Sequence, residues 1–209
     1  MAEARATQRQ PAVTSARYLD AERSENTSGS AAPAAAAAPR AIDFTQAFRE
    51  FGAYVPGLLR RLGVAEREVE DVAQDVFSVI HRQLPTFRGD SALKTWICGI
   101  TLRVARSHLR LARVRRVFLG APPVEPSRPA TQHESALLNE RVQQLRLALD
   151  ELPEEQRRVF VLYELEDLAV QEIARMTGAT EKTTYTRLYA AREKIERSLR
   201  RRALLGGER

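Results

Sequence analysis

One cysteine in 209 residues leaves no internal disulfide. Neither Cys98 nor the three scattered histidines, His81, His108 and His133, has a spacing that builds a zinc site. Cys98 is therefore expected to be a small core side chain. No apolar run approaches the ~20 residues of a membrane span, and residues 1–19 lack the apolar centre of a secretory signal. A soluble, cytoplasmic protein without membrane insertion is expected. No Ser/His/Asp or Cys/His arrangement marks a nucleophile and no glycine-rich loop cradles a nucleotide, so no catalysis, cofactor or metal is expected. Negative charge is missing from one long stretch: no Asp or Glu occurs between Ser91 and Val124.

That stretch holds Lys94, Arg103, Arg106, Arg110, Arg113, Arg115 and Arg116. A turn at Arg88-Gly89-Asp90 precedes it, and Ser91 is placed to cap a helix. Leu93, Trp96/Ile97, Ile100, Val104 and Leu111 then recur at helical spacing, so one face is expected to be buried. A long basic helix with a tryptophan near its start suits a nucleic-acid strand. Arginines neutralise phosphates, and an aromatic ring stacks on an unpaired base for about 1–3 kcal/mol. A plainly solvated basic face is the competing reading. The whole chain, with 33 Lys+Arg against 27 Asp+Glu and a formal net charge of +6, leans towards a polyanionic partner.

Taken in order, residues 1–42 form an Ala/Pro/Ser-rich tail without the apolar content to fold alone. Asp43 stands at a capping position, and Phe44, Phe48, Phe51, Val55, Leu58/Leu59 and Leu62 make a helical stripe that Pro56-Gly57 is expected to kink. A helix over 65–83 buries Val69, Val72/Ala73, Val76 and Val79/Ile80. Asp71, Gln74, Asp75 and Ser78 then share its exposed side. Prolines 122, 123, 126 and 129 mark a linker over 117–134 between a domain at 43–116 and another at 135–204. In the second, Leu137/Leu138, Val142, Leu145, Leu149 and Leu152 mark one helix. Glu154-Glu155-Gln156 opens the next, and Asp167 is placed to cap a third that Gly178 stops. Thr180 caps the last. A short helix, a glycine turn and a long helix fit a helix-turn-helix, whose second helix faces the major groove. Lys182, Tyr185, Arg187 and Tyr189 are the side chains aimed at DNA. The expected fold class is all-α, in two small helical domains.

Three stretches carry a family resemblance: Asp71-Val72-Ala73-Gln74-Asp75-Val76-Phe77; Phe87-Arg88-Gly89-Asp90-Ser91 with Lys94-Thr95-Trp96; and Leu152-Pro153-Glu154-Glu155-Gln156-Arg157 followed by Glu172-Ile173-Ala174. In this order the chain resembles the extracytoplasmic-function group of sigma-70 family RNA polymerase sigma factors. The resemblance covers about residues 44–202. It implies a region 2-like domain whose Asp71, Gln74, Asp75 and Phe77 dock on the clamp helices of the largest subunit of core polymerase. It further implies that Phe87, Arg88, Gly89, Asp90, Ser91, Lys94, Trp96, Arg103, Arg106 and Arg110 handle the minus-ten element as single-stranded DNA. Lys182, Thr183, Tyr185, Thr186, Arg187, Tyr189 and Arg192 of a region 4-like domain would then read the minus-thirty-five element of promoter DNA. The flap of the second-largest subunit and an anti-sigma factor are further partners of such proteins. Arg103, Ser107, Ala169 and Tyr185 stand where relatives often carry Asn, Asp, Ser/Thr and Lys, which implies a different promoter preference. The alternative is a helix-turn-helix regulator that binds duplex DNA without polymerase.

Overall fold

The computed structural model describes residues 43–119 and 136–206. Every regular element among them is helical: α1 Phe44–Phe51, α2 Tyr54–Arg61, α3 Glu66–Gln83 with a 3-10 turn Leu84–Thr86, α4 Leu93–Leu119, α5 Ala136–Asp150, α6 Glu154–Phe160 running into a π turn Val161–Leu165, α7 Val170–Thr177 and α8 Glu181–Gly206. Helices α2, α3 and α4 pack on one another, with α1 against α2 and α3. In the second group, α5, α6 and α7 all pack on α8. Buried apolar residues form one cluster that runs from Phe51 to Ile195 and draws on both groups.

Local chemistry explains most boundaries. Helix α3 opens with Glu66 and Glu68 and closes with His81 and Arg82, each charge suited to its end of the helix dipole. Gly178 ends α7 in the left-handed conformation (φ 69°), the usual way to satisfy the last carbonyls. Thr180 Oγ1 accepts the Thr183 backbone N–H at 3.1 Å, so the predicted cap on α8 is in place.

Other expectations are corrected. The first apolar stripe breaks at Gly52-Ala53 and not at Pro56-Gly57, because Pro56 falls in the first turn of α2, where its missing N–H leaves no bond unmade. Asp43 flanks α1 without a side-chain cap bond. Helix α4 begins at Leu93, one residue later than a Ser91 cap requires, and it continues to Leu119, into the expected linker. Asp167 does not cap α7. It turns the chain before that helix in the left-handed region (φ 61°), and Ala169 takes the capping position. Leu111 and Val142, read as buried, are exposed. The tail over 1–42 and the proline-bearing residues 120–135 lie outside the described residues.

Gly63, between α2 and α3, has φ +94°, and a Cβ there would lie 2.0 Å from Arg157 Nη1. The Arg157 side chain is fixed from α6 by donating its Nε–H to the Leu149 carbonyl at 2.7 Å. Gly63→Ala therefore meets backbone strain and a side chain with little room to retreat. It should lower stability by about 1–3 kcal/mol, read as a fall in Tm. A change below about 0.5 kcal/mol, the range of an ordinary surface substitution, would show that Arg157 is not held there.

Candidate functional site

Two helices of the first group carry opposed charge. On α3, Val69, Val72, Ala73, Val76 and Ile80 are buried, while Asp71, Gln74, Asp75 and Ser78 are exposed together. Phe77 is buried at the edge of this acidic face, its ring 4.8 Å from that of Phe48. Phe48 is half exposed. With Phe44, Gln74, Ser78 and His81 these rings line a shallow groove beside the acidic face.

Helix α4 buries Ile97, Cys98, Ile100, Thr101, Leu102 and Ala105, more than half its circumference, against α2 and α3. At 100° per residue the positions left outside, 96, 103, 106 and 110, fall within an arc of about 80°. Trp96 is half-buried, and Arg103, Arg106 and Arg110 are exposed. The result is one aromatic ring in line with three arginines. Phe87 packs on Trp96 with ring centroids 5.1 Å apart, which ties the preceding loop to the start of α4. In that loop Arg88, Gly89, Asp90 and Ser91 are exposed, and Gly89 has φ +77°. A ring pair beside a stripe of cations can hold an unstacked base and its flanking phosphates.

Lys94 does not join this face. Its Nζ lies 3.2 Å from Glu166 Oε2, on the turn before α7. The same carboxylate accepts the Tyr54 hydroxyl proton at 2.8 Å and the Arg61 Nη2–H at 2.8 Å, and its side chain is 2% exposed. Burial first, then the neighbouring Cys98 and Glu166, push the Tyr54 phenol far above its ordinary range, so it remains a donor. Burial likewise raises the Cys98 thiol to about 11, which keeps it protonated and inert near neutral pH. Two further contacts join the two helix groups, Glu66 with Arg146 of α5 at 3.0 Å and Glu154 with Arg113 at 2.9 Å. Glu66 is also bound by Arg60 at 2.8 Å. The Arg60 hydrogen bond, working against the cost of burial, and then Arg146 hold the Glu66 carboxyl below its usual range.

In the second group, α7, the glycine turn and α8 form the expected helix-turn-helix, with α7 packed on α8. Leu188, Ala191 and Ile195 of α8 face inward. Lys182, Tyr185, Thr186 and Tyr189 are exposed, and the rings of Tyr185 and Tyr189 stack with centroids 6.4 Å apart. Thr183 is engaged with the cap. Arg187 and Arg192 are half-buried in ion pairs, Arg187 with Glu155 at 3.0 Å and Arg192 with Glu164 at 2.6 Å. The structure thus brings Trp96, Arg103, Arg106 and Arg110 together, as it does Lys182, Tyr185, Thr186 and Tyr189. It diverts Lys94, Arg187 and Arg192 to carboxylates. Tyr54, Arg61 and Glu166 escaped the sequence reading, because their contacts join positions 105 and 112 residues apart. Among the described residues no cluster of metal-ligating side chains occurs and no helix is long and apolar enough to cross a membrane.

Comparison with known proteins bears on both helix groups. Residues 47–115 match the family model of sigma-70 region 2, and residues 142–195 match that of sigma-70 region 4. The chain is 31% identical over 153 residues to the RNA polymerase sigma-H factor of Pseudomonas aeruginosa, an alignment covering 68% of this chain and 79% of the relative. To the ECF RNA polymerase sigma-E factor of Escherichia coli it is 30% identical over 142 residues, covering 64% and 74%. Among solved structures, the sigma factor RpoE of Bartonella quintana, in complex with the anti-sigma factor NepR, matches with a TM-score of 0.64 at 22% identity. That match covers 75% of this chain and 96% of the other. CnrH, in complex with the cytosolic domain of CnrY, matches with a TM-score of 0.51 at 23% identity, over 79% and 89%. At these identities the two structures speak for the fold.

Proposed function

The chain belongs to the extracytoplasmic-function group of sigma-70 family RNA polymerase sigma factors, and from that premise we propose how its surfaces divide the work of promoter recognition. The Asp71/Gln74/Asp75 face of α3, backed by Phe77, docks on the clamp helices of the largest polymerase subunit. The loop of residues 87–91, with Trp96, takes an unpaired base of the minus-ten element, and Arg103, Arg106 and Arg110 hold the melted strand beside it. Unstacking a base costs a few kcal/mol, which stacking and phosphate contacts must offset. The exposed start of α8, Lys182, Tyr185, Thr186 and Tyr189, reads the minus-thirty-five element as duplex, and Arg187 and Arg192 join once released from their carboxylates. The flap of the second-largest subunit holds this second domain on the polymerase, residues 117–134 bridge the two domains, and an anti-sigma factor holds the chain off the polymerase. The protein works in the cytoplasm as a specificity subunit without chemistry of its own.

What supports this reading most is the common face of Trp96 with three arginines on a helix whose other side is locked into the core. An operator-binding regulator would employ α7 and α8 but leave that face and the acidic face of α3 without a task. The test is transcription with added core polymerase on a promoter found by start-site mapping. Trp96→Ala should bind core polymerase like the parent and form about ten- to a hundredfold less open complex, in line with 1–3 kcal/mol per stacked base. Reactivity of unpaired thymines towards permanganate reads that loss. Normal strand opening by the variant would remove Trp96 from this role.

A further inference from the structure

Glu166 sits in a cradle built by other parts of the chain. Tyr54 and Arg61 of α2 and Lys94 of α4 converge on its carboxylate, with contacts of 2.8, 2.8 and 3.2 Å. Two cations and a hydroxyl donor around one anion make a site for a group with several acceptor oxygens. The carboxylate does not saturate it: Arg61 Nε is buried and has no hydrogen-bond partner. A carboxylate offers two oxygens, one of which already serves both Tyr54 and Lys94. A phosphodiester adds acceptor positions and the same single charge.

We propose that the Tyr54–Arg61–Lys94 cradle is a binding site for a backbone phosphate of single-stranded DNA, and that Glu166 of the second helix group is its internal competitor. The inference rests on the sigma-factor reading for the identity of the strand. Lys94 lies in the first turn of the helix that carries Trp96 and the arginine stripe but on the side turned away from that stripe, so a phosphate here would be held where a strand crosses the head of α4. While Glu166 is seated, the site is closed by 98% burial of its side chain. When the second group moves away, the cradle is freed with its charge uncompensated. Strand binding and separation of the two groups are then coupled: each favours the other, because both require Glu166 to leave.

The test is strand binding by the free, full-length chain, followed through the anisotropy of a labelled single strand of about twenty nucleotides at low salt. Glu166→Gln keeps the side-chain shape and removes its charge. It should bind the strand about tenfold more tightly, with a steeper fall of affinity as salt rises, since single strands lose about 0.7 in log–log slope per neutralised phosphate. Adding Arg61→Ala to Glu166→Gln should abolish the gain. Glu166→Asp, which withdraws the carboxylate by one methylene, should give a smaller gain and serves if the glutamine variant does not fold. Inorganic phosphate at matched ionic strength should fail to displace the strand; displacement would make the cradle a free-anion site and overturn the assignment. The proposal also falls if a folded Glu166→Gln binds like the parent, or if the gain survives loss of Arg61. Promoter-dependent transcription by the parent with core polymerase, run alongside, reports separately on the sigma-factor reading.

Discussion

Replacing Asp75 by arginine is expected to weaken assembly with core RNA polymerase about thirtyfold or more, the low end of the 2–5 kcal/mol typical of a lost interfacial charge pair. The argument starts from α3. Its buried side, Val72, Val76 and Ile80, fixes the helix in the core, and Asp75 points away from it together with Asp71 and Gln74. Asp75 makes no ion pair or hydrogen bond with other described residues, so its reversal leaves no partner behind. Stability should therefore change by no more than about 0.5 kcal/mol, as for surface positions generally. Competition against a labelled parent chain for core polymerase gives the affinity, and a thermal melt supplies the control. An Asp75→Arg protein that competes as well as the parent would move the docking surface elsewhere, the neighbouring groove at Phe44 and Phe48 being the first place to look.

The two faces could be read from sequence because helical periodicity sorts side chains within one element. On α3 the spacing of Val69, Val72, Val76 and Ile80 separates core from surface without knowledge of any partner helix. Gly178 and Thr180 mark a stop and a start through backbone chemistry alone. What could not be read depends on the surroundings. Leu111 fits the apolar stripe of α4, yet that helix has 27 residues against 18 in α3 and runs past the core that buried its first half. Val142 likewise keeps the period of α5 and meets solvent. Pro56 does not mark the break, because a proline breaks a helix only beyond its first turn, and the chain breaks earlier, at Gly52-Ala53. Lys94, Arg187 and Arg192 carry the right charge for DNA in sequence, but each is engaged by a glutamate that lies far from it along the chain. A charge pattern gives supply; only packing shows which cations are already taken.

The largest loss of stability is expected from Ile97→Ala, about 2–5 kcal/mol, the range for truncating a large aliphatic side chain in a closed core. Ile97 is fully buried on α4, next to Trp96 in sequence and on the opposite side of the helix from Arg106. Around it Cys98, Ile100 and Thr101 are also buried, so the walls belong to a helix that has little freedom to collapse into the space left behind. For a chain of this size each kcal/mol corresponds to about 2–4 °C, so Tm should fall by roughly 4–20 °C. Ile97→Val, which removes one methylene, should cost only about 0.5–1.5 kcal/mol. Arg103→Ala, on the exposed face of the same helix, should leave Tm within the ordinary surface range of about 0.5 kcal/mol while lowering the salt dependence of strand binding by close to one contact. The three variants together separate what anchors α4 from what α4 presents. If Arg103→Ala melted as early as Ile97→Ala, the arginines would be part of the scaffold, and a strand would have no free cationic face to lie on.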